Sequence, residues 1–228
     1  MGIAERQKRE KDKLRSRILE AAKEIISEEG HDALTIRKIG LRIEYSPMAL
    51  YNHFADKRAI LLALAHEVFL KLEKALPKPV PGQSPLVTLR VALLAYIDFG
   101  LKHSTEYEIV FMTRLSEKPA SSGSAAISDP IGNEMGGRIA FERLVGYVQE
   151  CIGAGAIEGD PFALARILWV GIHGCVSLQI ALPQFVFGPK REFAENLVDT
   201  LISGVTTLNS KKGQGPVKSV RKQPKASA

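Results

Sequence analysis

Residues 35 to 57, TIRKIGLRIEYSPMALYNHFADK, constrain this chain more than any other stretch, because two helix-start signals lie close together with an interruption between them. Thr35 is a good N-cap, and Ile36, Ile39 and Ile43 recur at helical spacing. The spacing predicts a short helix that buries the isoleucines and leaves Arg37, Lys38 and Arg42 in water. Glu44, Tyr45 and Ser46 interrupt it. Ser46 caps orphan amides and Pro47 suits a first helical position, so a second helix begins at about Pro47. Leu50 and Phe54 face inward with the isoleucines. Met48, Ala49, Asn52 and His53 fall on other faces, where a helix that reads base edges carries its contacts.

This segment resembles the helix-turn-helix of the tetracycline-repressor (TetR) family of bacterial transcription regulators, with Thr35, Ile39, Ser46, Leu50, Tyr51, Phe54 and Lys57 at the family's spacing. The resemblance implies phosphate contacts by Thr35, Tyr51, His53 and Lys57, and base-edge or groove contacts by Arg37, Pro47, Met48, Ala49 and Asn52, with Ser46 completing the DNA-binding set. Chemistry supports part of that division. A hydroxyl at a helix start, a phenol and an ammonium suit phosphate oxygens, whereas Asn52 suits an adenine edge and Ala49 a thymine methyl. The plainer reading of the same residues is a solvated polar face. The chain departs from the family at Glu44, where glycine is usual, and at Tyr45, where a small aliphatic residue is usual. A non-glycine residue at positive φ is uncommon, so the turn is either strained or takes a different path.

With 228 residues the chain has room for one substantial domain, or for a small one fused to a larger. Its formal charge of +6 is unevenly spread. Residues 1 to 57 hold 12 basic and 10 acidic side chains, residues 58 to 210 hold 13 and 15, and the tail holds six and none. The high pI is therefore mostly a tail property and does not by itself argue for DNA. The arm up to Arg17, with seven basic and three acidic residues, is placed to reach phosphates. Cys151 and Cys175 are the only cysteines and suggest neither a disulfide framework nor a zinc site. The N-terminus lacks the apolar run of a signal peptide, and the expected location is cytoplasmic.

Leu14, Ile18, Ala22, Ile25 and Ile26 form the stripe of a first helix that Gly30 ends. Beyond Lys57 a long amphipathic helix runs until Pro77. A proline-rich connector follows, then helices over 86–103 and 105–115. The serine- and glycine-rich stretch from Ser116 reads as a mobile loop. Helical periodicity returns near Arg138, where Phe141, Leu144, Val145 and Val148 share a face. Two C-terminal helices are expected at about 161–183 and 190–208. The run from Ile167 to Phe187 has membrane-spanning length, but His173, Ser177, Gln179, Pro183 and Gln184 favour an interior helix of a soluble bundle. A helix apolar around most of its circumference needs burial on both sides, so a homodimer is expected, with Val176, Ile180, Phe193, Leu197 and Leu201 at its interface. The tail from about Ser210 lacks apolar periodicity and is expected to be disordered.

No catalytic constellation, metal set or cofactor motif emerges. Glu28 and His31 form an E-x-x-H that occurs once, without the paired copy of a di-iron bundle, and the glycines of GAGAIEGD lack the strand a nucleotide loop needs. The segment WVGIHGCVSLQIA resembles a C-terminal subfamily of the same regulators marked by Trp169, His173 and Gly174. His173 is then either a cavity residue or an ordinary core histidine. By their place on the middle helices the resemblance implies Tyr96, Phe99, Phe111 and Met112 as walls of a ligand pocket, together with Trp169 and His173; plain core is the other reading of aromatics at this spacing.

The expected fold is all-α: an N-terminal three-helix DNA-binding head with a helix-turn-helix (1–57), joined by a long helix to a C-terminal helical ligand-binding and dimerisation bundle (58–209), then a basic tail (210–228). The expected partners are a double-stranded DNA operator, an unidentified small-molecule effector and a second copy of the chain, with no membrane. A repressor released by its ligand is the leading reading. A helical-bundle enzyme and a ligand-independent architectural DNA binder are the alternatives.

Overall fold

The protein is described by a computed structural model over residues 2–112 and 137–207, with the side chain of Met112 outside that set. The loop expected from Ser116, apart from Gly137, and the tail expected from Ser210 lie outside the described residues. Every regular element among the described residues is helical. Helix α1 spans Ile3–Glu29 and buries Ile18, Leu19, Ala22 and Ile25. Helices α2 (Ile36–Ile43) and α3 (Pro47–Tyr51) follow, and Ile39 and Leu50 are fully buried against α1.

Both caps form as their side chains dictate. Thr35 Oγ1 accepts the amide of Lys38 at 3.1 Å, and Ser46 Oγ accepts that of Ala49 at 3.3 Å. Between the two helices Glu44 stands at φ 61° and ψ 40°, in the left-handed region, and is the only non-glycine residue with positive φ among the described residues. The strained alternative for this turn is the one adopted. Two bonds hold it: the Tyr45 amide donates to Gly40 O at 2.9 Å, and Arg17 Nη2 donates to Ile43 O at 3.1 Å while its guanidinium lies over the Tyr45 ring. Gly40 is what lets the chain double back, since a Cβ there would meet Tyr45 O at 2.7 Å.

Helix α4 (Lys57–Ala75) is capped by Asp56, whose Oδ1 accepts from the Ala59 amide at 2.7 Å. It belongs to two hydrophobic cores. Ile60, Leu61 and Leu64 pack with the head, while Ala65, Val68, Phe69 and Leu72 pack with the bundle. The boundary expected between residues 57 and 58 therefore falls inside one packing unit, because the first two turns of α4 supply the head's floor.

The bundle consists of α5 (Pro85–Lys102), the single turn α6 (Ser104–Tyr107) running into a π-helical turn (Glu108–Met112), α7 (Gly137–Gly153), α8 (Pro161–Ala181) and α9 (Lys190–Thr207). Helix α8 packs on α5, α7 and α9. It is long and apolar enough to cross a membrane, with mean hydropathy 1.4, and one flank is built into the bundle. Arg90 of α5 holds α9 through a two-pronged pair with Asp199, at 2.6 and 3.0 Å. Ile109, on the π turn, joins the head core with its side chain, whereas Val110 packs with the bundle.

Glu44→Gly should relieve the left-handed strain and raise unfolding stability by about 1 kcal/mol. Gly40→Ala should force the turn apart and lower it by about 1–3 kcal/mol. Urea denaturation followed by circular dichroism measures both, and equal midpoints for the three proteins would show that the turn stores no strain.

Candidate DNA interface and effector cavity

The outer surface of the head carries most of the residues singled out from the sequence. Thr35, Arg37, Ser46, Pro47, Met48, Tyr51 and Asn52 are exposed, Ala49 and His53 half-buried. Met48 and Tyr51 are 71% and 53% exposed although both are large and apolar in part, so no internal packing accounts for them. Lys38 and Arg42, on the other side of α2, instead turn back to α1, where they pair with Glu29, Glu24 and Glu28. This pairing also explains the E-x-x-H: Glu28 is held by Arg42 at 2.6 Å, its carboxyl below the ordinary range through that hydrogen bond, and no group of three metal-ligating side chains occurs among the described residues.

Two positions differ in detail from the sequence reading. Asn52 is not inside the reading helix but caps it, since α3 ends at Tyr51. Lys57 Nζ donates to His31 O at 2.8 Å, which ties α4 to the end of α1 and leaves two N–H donors. The expected basic arm is a continuation of α1, and it runs beside the reading helix: Arg15 lies over the Phe54 ring at 5.3 Å. Burial lowers the His53 pKa, and the nearby Lys11 and Arg15 lower it further. The cations Lys11 and Arg15 thus meet a His53 imidazole held toward its neutral form at one corner next to α3.

The bundle encloses a cavity of about 470 Å³ between α4, α5, the π turn, α7 and α8. Its walls are aromatic and aliphatic: Phe69 and Leu72 from α4, Tyr96 from α5, Phe111 from the π turn, Phe141 from α7 and Trp169 from α8. Of the expected ligand residues, Tyr96, Phe111 and Trp169 line this space. Phe99 does not, because its ring turns the other way and stacks on His103 at 4.6 Å. The Met112 side chain lies outside the described residues.

His173 stands one layer behind the cavity wall, stacked on Trp169 and Tyr107 with ring centroids 5.2 and 5.6 Å away. It ends a buried hydrogen-bond chain. Trp169 Nε1 donates to Tyr96 Oη at 3.3 Å, the Tyr96 and Tyr107 hydroxyls are 2.9 Å apart, and Tyr107 Oη lies 2.6 Å from His173 Nδ1. Donor counting fixes the direction. The indole N–H only donates. If His173 Nδ1–H donated to Tyr107, the Tyr96 hydroxyl would accept twice and its own proton would have no partner. With Nδ1 as acceptor, each hydroxyl accepts once and donates once. Burial supports this arrangement by holding both phenols protonated, Tyr96 pushed up to about 12, and by lowering the His173 pKa so that the imidazole is neutral. Sequence reasoning missed Tyr107, which is fully buried and looks like plain core.

The expected dimer residues need one correction. Val176 is 0% exposed and packs inside its own subunit, where a Cβ on Gly100 would come within 2.6 Å of Val176 Cγ1. It seals α5 to α8 and has no surface for a second copy. Ile180, Phe193, Leu197 and Leu201 are half-buried against the bundle core. The free face of α8 is instead the line Ile167, Val170 and Leu178, which are 45%, 63% and 49% exposed, with Gly174 between them and Ala163 and Ala181 at its two ends. Helical phase separates this line from both the cavity face and the core face, and it carries no charge.

Comparison with known proteins agrees with this geometry. Residues 18–64 match the family model described as bacterial regulatory proteins, tetR family, and residues 89–201 match one described as tetracyclin repressor-like, C-terminal domain. Among similar proteins, a tetracycline repressor protein of class G from Vibrio anguillarum is 33% identical over 93 residues, 38% of this chain and 44% of that one. The transcriptional repressor AcnR of Corynebacterium diphtheriae is 31% identical over 100 residues, 44% of this chain and 50% of that one. The chain thus spans half or less of the length of these curated relatives. A Rhodococcus sp. RHA1 protein of unknown function superposes with a TM-score of 0.67 at 26% identity, covering 85% of this chain and 95% of that one. The SmeT–triclosan complex superposes with a TM-score of 0.64 at 21% identity, covering 83% and 90%, and it shares the fold.

Tyr107→Phe should leave the Tyr96 proton and His173 Nδ1 unpaired and cost about 1–3 kcal/mol in urea unfolding. His173 has a folded pKa below its ordinary 6.5, so its contribution is full above that pH and is lost as pH falls. The wild-type urea midpoint should drop between about pH 7.5 and about pH 5.5. His31 and His53 have pKa values lowered in the same direction, so the His173 share is read as the smaller drop of His173→Gln.

Proposed function

Because the chain belongs to the TetR family of bacterial regulatory proteins, we propose that it is a homodimeric, cytoplasmic transcriptional repressor, released from a palindromic operator when a small molecule enters the bundle cavity. The observation that carries this reading is the sharing of α4. Phe69 and Leu72 form cavity wall, and Ile60, Leu61 and Leu64 of the same helix form the floor of the head. A second link is shorter. On the π turn Phe111 lines the cavity while Ile109, two residues earlier, is buried in the head core. A ligand that repositions Phe69, Leu72 or Phe111 therefore moves side chains on which the head rests. The resulting loss of operator affinity is limited by the difference in ligand affinity between the two states.

At the DNA, α3 enters the major groove. Met48, Ala49 and Asn52 face base edges, with Arg37 and Pro47 beside them, while Thr35, Tyr51, His53 and Lys57 hold phosphates. The cations Lys11 and Arg15, with the His53 imidazole as a neutral hydrogen-bond donor beside them, fit the adjoining backbone. The apolar line Ile167–Val170–Leu178 serves as the centre of the two-fold interface, with α9 flanking it through Phe193, Leu197 and Leu201. Two heads then read half-sites about 34–36 Å apart or a multiple of one turn. The tryptophan, histidine and glycine at Trp169, His173 and Gly174 support a C-terminal half of the subfamily marked by those residues.

The test is fluorescence anisotropy of the full chain on the DNA upstream of its own gene and on a scrambled duplex, at physiological salt. Preference for the upstream fragment by about a hundredfold or more is expected. Tyr51→Ala should weaken both duplexes alike, whereas Asn52→Ala should relax selection at one base position. Unchanged sequence selection in Asn52→Ala would remove that residue from base reading. Val170→Asp should place a charge in the interface and give a monomer by light scattering, with operator affinity lowered by at least about tenfold; a dimer of unchanged affinity would move the interface off α8.

A further inference from the structure

We infer that the ligand of this cavity is an amphipathic acid: a largely aromatic or aliphatic body held in the cavity, ending in one carboxylate that Arg166 receives at the rim. This rests on the effector-binding reading above and gives that site its ligand class. Tyr96 Oη and Trp169 Nε1 bond to each other and into the chain that ends at His173. Tyr147 Oη donates to Pro77 O at 2.5 Å and accepts from Arg143 Nε at 3.3 Å. Arg138 and Glu142, both at the rim, pair with each other at 3.4 Å. Arg166 alone among these side chains has no ion pair or side-chain hydrogen bond within the described residues, although its side chain faces the cavity from the first two turns of α8.

Satisfied polar groups make poor recognition elements, because a ligand would have to break an internal bond to use them. The interior therefore selects for shape and apolar area alone. Among the described residues, specific polar recognition falls to the open guanidinium of Arg166. A guanidinium is permanently charged and presents paired N–H donors that match the two oxygens of a carboxylate. Arg138 and Glu142 cancel, so among the described residues Arg166 is the unbalanced charge of the lining, which disfavours a cationic ligand. Size follows from volume. The cavity's 470 Å³ lies in the range of small-molecule sites. A single ring with a short alkyl chain fits within it.

Trp169 is the only tryptophan in the chain and forms part of the cavity wall, so its fluorescence reports occupancy without a label. The experiment titrates the full-length protein, without DNA, with 4-hexylbenzoate, 4-hexylbenzamide and 4-hexylbenzylammonium, which share one body and differ in charge. The benzoate should bind at least about tenfold more tightly than the amide, and the ammonium most weakly of the three. Arg166→Gln should remove the benzoate's advantage and leave amide binding unchanged, and Arg166→Glu should reverse the order of benzoate and ammonium. Arg166 is exposed, so both variants are expected to keep the wild-type circular dichroism. Equal affinity for benzoate and amide, or an undiminished preference in Arg166→Gln, would overturn the assignment. Binding of none of the three would overturn the ligand class. Since no DNA is present, either failure leaves operator recognition to stand or fall on its own measurement.

Discussion

Helix α4 is the element on which the rest of the molecule depends, because its side chains are divided between two cores that would otherwise be independent. From Ile60 to Leu72 the axis advances only about 18 Å, at 1.5 Å per residue. Within that length the helix passes from the floor of the head to the wall of the cavity. A close-packed core tolerates little continuous deformation, so a shift at Phe69 or Leu72 is passed along the helix rather than absorbed. The ion pairs Lys23–Glu67 and Lys71–Glu106, each 3.3 Å long, brace α4 against α1 on the head side and α6 on the bundle side. Ile109 adds a second contact between the same two cores.

The two walls of the cavity differ in character for a physical reason. The back wall, where Tyr96, Tyr107, Trp169 and His173 meet, is fixed by hydrogen bonds that are expensive to break in a buried setting. The wall from α4 and the π turn meets it through apolar ring contacts, Phe69 on Phe111 at 5.6 Å and Phe111 on Tyr107 at 4.5 Å, edge-on or tilted. Apolar contacts re-form after a small displacement at little cost, whereas directional bonds do not. The wall able to move is thus the one that carries the head.

At the other end of the molecule, the orientation of the reading helix depends on a turn that violates a backbone preference. Glu44 in the left-handed region costs on the order of 1–2 kcal/mol. The cost is tolerated because Arg17, Gly40 and Tyr45 fix the surrounding geometry. Arg17 belongs to α1, so the first helix does more than bury a stripe of isoleucines and leucines: it clamps the turn of the helix-turn-helix.

The sequence by itself determined the helices, their caps and the head. Thr35 and Ser46 each announce a helix start through a side-chain oxygen acting on an amide three residues away, and Ile36, Ile39, Ile43 and Leu50 mark a buried face through spacing alone. Such local rules are written in contiguous residues, which is also why Tyr51 and Asn52 were legible as outward-facing. What only the tertiary structure decided are the relations among residues far apart in the chain. Tyr107 reads as core until it is seen beside His173, 66 positions later. Val176 reads as interface until Gly100 is found against it, and Phe99 reads as pocket wall until its ring is found on His103. The two-core membership of α4 and the open guanidinium of Arg166 have the same origin. Whether a polar group is satisfied, or an apolar one covered, depends on which distant helix arrives beside it, and helical period carries no record of that.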